Sequence, residues 1–224
     1  MERGRSRKAR SGCLGRIFGF VLFLIVAAVG VIAAVKYMPS RERADLDALY
    51  AAGGSDRVAL YLNYERQEES GVYVDGQTYL PATWVDANLN ERFYWDANEE
   101  ILVYALPEEI VKSDETTVDE DGKKILYRDG DAVYLSLALI QKYTDVRLQA
   151  YDGEAQKRVF VENNWDPVTV ADAAWSAKIR LRGGLKSPIV TEIKRGGTVT
   201  VLEQYDNWAR VMTPDGHIGY MHKW

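Results

Sequence analysis

Apolar and polar positions follow three different regimes along this chain. From Ile17 to Val35 there are nineteen consecutive residues without a charge, reading IFGFVLFLIVAAVGVIAAV, with neither a helical nor a strand period. Uniformly apolar runs of this length predict a helix apolar on every side, and at ~1.5 Å rise per residue it just reaches across a ~30 Å hydrocarbon core. Residues 56–162 mix short alternating runs with two brief helical patterns. From Ala177 onward the alternation becomes tight, in short strands split by Gly-Gly, Asp-Asn and Pro-Asp-Gly turns.

The flanks of the first run set its direction. Arg3, Arg5, Arg7, Lys8, Arg10 and Arg16 precede it against one acid, Glu2. Basic residues remain on the cytoplasmic side, which predicts a single-pass signal-anchor: a basic cytoplasmic tail (1–16), a transmembrane helix (17–36) with residues 17–35 in the lipid bilayer, and extracellular domains after Tyr37. A cleaved signal peptide is the rival, because Val31-Ile32-Ala33 could serve as a small-residue cleavage site. The run is longer than the ~7–15 apolar residues of a signal peptide, which favours the anchor. A buried helix of a soluble core suits shorter runs and leaves the basic flank unexplained.

Residues 37–55 read as a stalk. Ser40 can cap a short helix carrying Leu46, Leu49 and Tyr50, and Gly53-Gly54 can stop it, although so short a helix is marginal alone and a disordered linker is the alternative. Val58 to Leu62 then predicts a strand.

An internal repeat follows. Tyr73–Ala105 and Tyr127–Val161 align with one inserted residue, so that Tyr79-Leu80 matches Tyr134-Leu135 and Trp95-Asp96 matches Tyr151-Asp152. Each copy parses as a ββαββ-like unit. A strand reaches a turn at Asp75-Gly76 or Asp129–Asp131, and a second strand leads into two helical turns, Ala82–Asn88 or Ser136–Tyr143. These helices place Trp84, Val85 and Leu89, or Leu137, Ile140 and Tyr143, on one face. A closing hairpin turns at Asp96–Glu99 or Asp152–Ala155, with Phe93 and Trp95 facing one way and Arg92 and Tyr94 the other. A copy of ~35 residues has too little core to stand alone, so one shared core over 56–162 is favoured.

Asp166-Pro167 breaks the chain. The segment 163–224 then predicts a small all-β barrel of five strands. Its apolar positions are Ile179/Leu181, Ile189-Val190, Val199/Val201, Trp208/Val211 and Ile218/Tyr220, and its turns are Gly183-Gly184, Gly196-Gly197, Asp206-Asn207 and Pro214-Asp215-Gly216.

Charge sharpens this division. The whole chain carries −5, but residues 1–36 hold seven Lys/Arg against one acid, leaving 21 bases against 32 acids in 37–224. Within that exterior, residues 37–164 hold 13 bases and 26 acids, whereas 165–224 hold eight bases and six acids. An acidic exterior excludes nucleic acid as a partner, since phosphate neutralisation needs basic residues. The only cysteine, Cys13, precedes the apolar run and reads as a plain cytoplasmic thiol. An exterior without disulfides suits a Gram-positive bacterial surface.

Two resemblances follow from these patterns. The first copy's D-G-x-x-Y-L-P, short helix, W-D and I-L-V strand resemble the copper amine oxidase-like N-terminal domain of bacterial surface proteins, over about 56–162; the second copy departs from it, with Ser136 at the place of Pro81. That family has no metal site of its own. The final module closely resembles the bacterial SH3-like (SH3b) domain. The matching features are Ile179-Arg180-Leu181-Arg182, Ser187-Pro188-Ile189-Val190, Lys194-Arg195-Gly196, Val199-Thr200-Val201-Leu202, Asn207-Trp208, Arg210-Val211 and Asp215-Gly216-His217-Ile218-Gly219-Tyr220. This resemblance implies cell-wall peptidoglycan or another glycan as the partner. In similar domains further residues follow the Gly-Tyr strand, whereas this sequence stops at Trp224. The order of anchor, first domain and SH3-like domain resembles the front end of membrane-bound family 18 glycoside hydrolases, whose D-x-x-D-x-D-x-E signature does not occur in these residues. Targeting half of such a hydrolase, with its catalytic domain beyond Trp224, is therefore the alternative to a stand-alone wall-binding protein.

Candidate chemistry is sparse. Asp114, Glu115, Asp119, Glu120 and Asp121 are the most acidic cluster, but paired-carboxylate catalysis needs rigid placement ~5–9 Å apart, and a calcium loop needs alternating Asp/Asn with a late Glu. Beside Thr116, Thr117 and Gly122 they read as a solvated loop. His217 and His222 lack the cysteines or carboxylates of a metal site. No catalytic residues, metal site or cofactor are expected, and oligomeric state is not legible. If the terminal module binds a ligand, Tyr205, Trp208 and Tyr220 are the candidates, each offering a flat apolar face with a polar tip. Trp208 and Tyr220 also fall where small barrels bury side chains, so core packing competes with that role. Trp84, Tyr94, Trp95 and Tyr104 read as core rather than a carbohydrate platform.

Overall fold

The computed structural model describes residues 12–153, 155–165 and 167–223. The basic tail before residue 12, Asp166 and Trp224 lie outside the described residues, as do the side chains of 12–16, Cys13 among them.

The first element, α1, is a helix over Gly12–Tyr37. Its stretch Ile17–Tyr37 is long and apolar enough to cross a membrane, and none of its apolar window is buried against the rest of the protein. A second helix, α2 (Leu46–Tyr50), is capped by Asp45, whose side chain accepts from the Ala48 amide at 3.1 Å. Ser40, expected as the cap, instead accepts from the Glu42 amide at 3.1 Å and lies in extended chain. The stalk is thus one short helix and a strap, and the strap is bound. The Ser40 amide donates to Leu185 O (2.7 Å), Ala44 to Ile189 O (2.8 Å) and Ile189 to Glu42 O (2.8 Å).

The next domain comprises β1 (Arg57–Leu62), β2 (Glu65–Val74), β3 (Gln77–Pro81), α3 (Ala82–Asn88), β4 (Phe93–Asp96), β5 (Ile101–Ala105), β6 (Ile110–Ser113), β7 (Leu126–Asp129), β8 (Ala132–Ser136), α4 (Leu137–Tyr143), β9 (Arg147–Tyr151) and β10 (Arg158–Glu162). Seven of its strands form one sheet in the order β7-β8-β3-β2-β1-β10-β9. The Asp75-Gly76 turn between β2 and β3 has φ of +49° and +78°, the double positive φ that a two-residue hairpin of matching twist requires. Both helices start where β-strand ends. Ser136 caps α4 by accepting from the Leu139 amide at 3.2 Å, while Pro81 occupies the same place before α3 without a side-chain cap. The hairpins after the helices then diverge. β9 and β10 join the main sheet, whereas β4 and β5 pair with β6 in a separate three-stranded sheet.

One contiguous cluster contains buried residues from both halves of this domain, including Val58, Leu60, Trp84, Val85, Leu135, Leu139, Ile140, Val159 and Val161. β1 and β10 pair in parallel inside the sheet, from Ala59 opposite Arg158 to Leu62 opposite Val161. Side chains alternate across a strand, so Ala59, Tyr61 and Phe160 project to the opposite face. There they form a second cluster with Tyr50, Val190 and Met212, which come from α2 and the C-terminal module. Burial on both faces is why these two strands read as nearly unbroken apolar runs.

The C-terminal module contains β11 (Thr169–Asp172), β12 (Ala177–Arg180), β13 (Ile189–Ile193), β14 (Thr198–Gln204), β15 (Trp208–Met212) and β16 (Ile218–His222). They form a six-stranded sheet ordered β11-β14-β15-β16-β12-β13, wrapped around Ala173, Ile179, Ile193, Val199, Ala209 and Val211. Strand β11 is additional to the five expected and pairs with β14 from Thr169 opposite Val201.

Candidate functional site

Three strand ends of the C-terminal module meet at one shallow cavity of about 360 Å³, lined by Arg182, Gly183, Tyr205, Trp208 and Tyr220. All three sequence-predicted ligand residues are therefore together. Their arrangement follows from strand register. Ala209 and Val211 of β15 point into the core, which turns Trp208 and Arg210 outward by the period of two. Tyr220 lies opposite Arg210 on β16 and shares that outer face. Trp208 and Tyr220 are consequently half-buried rather than core residues, while Tyr205 is 44 % exposed.

The rings are braced against one another. Tyr205 and Tyr220 have centroids 5.9 Å apart at 39°, and the Trp208 indole meets the His222 ring edge-on at 4.9 Å. Gly183 lies over the indole, where a Cβ would come 3.4 Å from Trp208 Cγ, so a larger side chain there would cover the aromatic face. Tyr205 is anchored from behind, its hydroxyl donating to Glu203 Oε2. Glu203 in turn accepts from Arg210 Nη1 at 2.7 Å, and Arg210 Nη2 donates to Tyr64 O at 3.0 Å, tying the cavity's floor to the preceding domain. The Tyr205 bond, then that of Arg210, holds the Glu203 carboxyl below its usual range. The same bond, aided by burial, pushes the Tyr205 hydroxyl up to about 12, so it remains a neutral donor at physiological pH. A flat apolar floor with phenolic hydroxyls and one guanidinium at the rim suits a sugar ring or a short peptide.

Residues 175–224 match the bacterial SH3 domain. No curated protein and no solved structure matches the chain. The SH3 domain as matched begins just before β12, so β11, which hydrogen-bonds along β14, lies outside the matched residues although it completes the sheet.

The acidic loop between β6 and β7 has a different use. Asp114 Oδ1 accepts from the Thr116 hydroxyl (2.7 Å), the Thr116 amide (2.9 Å) and the Thr117 hydroxyl (3.0 Å), bonds that lower its pKa. Asp119 Oδ1 accepts from the Asp121 and Lys123 amides at 3.0 and 2.9 Å. These carboxylates build their own turns. Among the described residues, no three His, Cys, Asp or Glu side chains converge as a metal site. His217 lies in the turn before β16, not on the strand, with Nδ1 3.0 Å from Asp215 Oδ2 and its ring edge-on to Tyr50 at 5.5 Å. Of the aromatics expected in the core, Trp84 and Tyr104 are buried and Trp95 is half-buried beneath Arg128, but Tyr94 is 63 % exposed. Its strand β4 lies in the small sheet, whose outer face is solvated.

Arg182 and Gly183 were not foreseen as cavity residues. They follow the β12 strand directly, and only the pairing of β12 with β16 reveals that this exit passes over Trp208.

Proposed function

We propose that this chain is a membrane-tethered protein of the bacterial cell envelope, its amino terminus cytoplasmic, whose SH3 domain docks on cell-wall peptidoglycan through the Tyr205–Trp208–Tyr220 cavity. The observation that carries this reading is the convergence of these three rings with Arg182 on the outer face of a module matching the bacterial SH3 domain. Such domains commonly bind cell wall. The apolar helix α1 and its basic flank support the tether, and the disulfide-free exterior supports a bacterial surface. Residues 56–162 serve in this reading as a copper amine oxidase-like surface domain that braces the SH3 domain rather than acting on substrate.

Retention of the full chain, in mild detergent, on purified sacculi is the direct test. Trp208→Ala and Tyr220→Ala should each lower retention about five-fold or more, the loss expected when ~1–3 kcal/mol of aromatic contact is removed. Absence of retention for the unaltered chain at low salt would overturn the reading. Topology is tested separately by protease added to intact cells, which should remove residues after Tyr37 and spare the tail.

A further inference from the structure

We propose that the Gly184–Lys186 segment of the SH3 domain is a second membrane contact, seated on anionic phospholipid headgroups where α1 leaves the bilayer. The inference rests on reading α1 as a membrane span, and adds where the SH3 domain sits relative to it.

Height is fixed first. Nineteen uncharged residues of helix extend ~28 Å, so nearly all of Ile17–Val35 is needed to cross a ~30 Å core. Lys36 and Tyr37 must then lie at the exit boundary, the zone where tyrosine and lysine are favoured. The loop is tied to that level at two points. Lys186 Nζ donates to Val35 O at 2.6 Å, and the Ser40 amide donates to Leu185 O at 2.7 Å.

The first of these bonds has its own logic. The last carbonyls of a helix have no partner within it. Met38 takes the Ala34 carbonyl at 2.7 Å, and Lys186 takes that of Val35, supplying both a donor and a positive charge at the negative end of the helix dipole. A residue of the SH3 domain therefore caps the transmembrane helix. Its neighbours in the loop cannot be far from the lipid surface.

The side chains gathered there suit such a surface. Residues 36–43 and 184–186 hold Lys36, Arg41, Arg43 and Lys186 against a single acid, Glu42, with Arg43 also paired to Glu192 at 3.3 Å. Leu185 is 39 % exposed, and Tyr37 and Met38 are 68 % and 57 % exposed. Exposed apolar groups interleaved with lysine and arginine match the boundary between acyl chains and anionic headgroups. These basic segments stand against residues 37–164 as a whole, which hold 13 bases and 26 acids.

The test uses the full chain in nanodiscs of phosphatidylcholine alone or of phosphatidylcholine mixed with phosphatidylglycerol, read by hydrogen exchange of the amides in 182–187. Exchange there should slow several-fold in the anionic discs, and raised salt should reverse the effect. Lys186→Glu should abolish the protection, and Lys186→Arg should retain it. Equal exchange in both disc types, with the chain still integral to the bilayer, overturns the loop contact and leaves the membrane reading intact. Extraction of the chain from vesicles by alkaline carbonate overturns both. Global protection in β1 and β10 serves as the folding control for each variant.

Discussion

The guanidinium of Arg158 lies 4.7 Å from the centre of the Tyr50 ring and 5.5 Å from that of Tyr151. Arg158 is fully buried, its Nη1 donating to Gln156 O at 2.9 Å and its Nη2 to Asp215 O at 2.6 Å. One cation thus joins α2, the β9–β10 hairpin and the turn before β16. Arg158→Ala removes a large buried side chain and leaves the Asp215 carbonyl unpaired. A loss of about 3 kcal/mol in the urea unfolding of the protein is expected. Arg158→Met, which keeps much of the packing, should lose less.

Tyr50 predicts an alkaline limb. Its hydroxyl accepts from the Ile218 amide at 3.0 Å, and burial pushes its pKa up to about 12. The folded state therefore holds the proton that the unfolded chain releases near ~10. Stability from this group is fully present below that value and is lost as pH rises from ~10 through about 12. Tyr50→Phe should cost about 1 kcal/mol at neutral pH and make the fall in Tm above pH ~10 shallower.

Gly216 predicts a wedge. Its φ is +73°, and a Cβ there would lie 2.6 Å from the Tyr151 ring. Gly216→Ala combines backbone strain with overpacking at the seam between domains, and about 3 kcal/mol of destabilisation is expected. Combining it with Tyr151→Ala should recover part of that loss, a coupling measurable in a double-mutant cycle.

Glu203 links acid pH to the cavity. Its pKa is depressed by the Tyr205 and Arg210 bonds, so its contribution is present above the unfolded carboxylate value of ~4.3 and is lost as pH falls through the folded one. The carboxylate is 45 % exposed, and solvent screening holds the stability effect to about 0.5 kcal/mol. The effect on binding should be larger. Glu203→Ala releases Tyr205, and retention on sacculi should drop several-fold while the unfolding midpoint barely moves.

Strand-level features with local causes were legible from sequence. The apolar run Val58–Leu62, the Asp75-Gly76 turn and the places of five strands of the SH3 domain each follow from burial period or turn chemistry. What depended on distant pairing was not. Strand β6 is only four residues, Ile110–Ser113, and β11 has three of its four residues exposed at the sheet's edge. Trp208 competed for a core role because it falls where small barrels bury side chains, yet its parity, opposite to that of Ala209 and Val211 in burial, turns it outward. The strap was hidden for the same reason. Leu46, Leu49 and Tyr50 announce an apolar face, but nothing local says that Ala59, Phe160 and Met212 will cover it.

The strap also decides how the molecule carries force. Along the chain, the route from α1 to the SH3 domain runs through the whole seven-stranded sheet. Through space it is far shorter, by way of the hydrogen bonds of Ser40, Glu42 and Ala44 to Leu185 and Ile189 and of Lys186 to Val35. In the tether proposed above, tension on the SH3 domain reaches α1 along this shortcut, alongside the Arg158–Asp215 and Arg210–Tyr64 bonds to the sheet domain. Only when those few bonds shear does the pull pass to β1 and β10, which enter and leave that domain side by side as a parallel pair. On that reading the tether has a stiff short setting and a reserve length behind it.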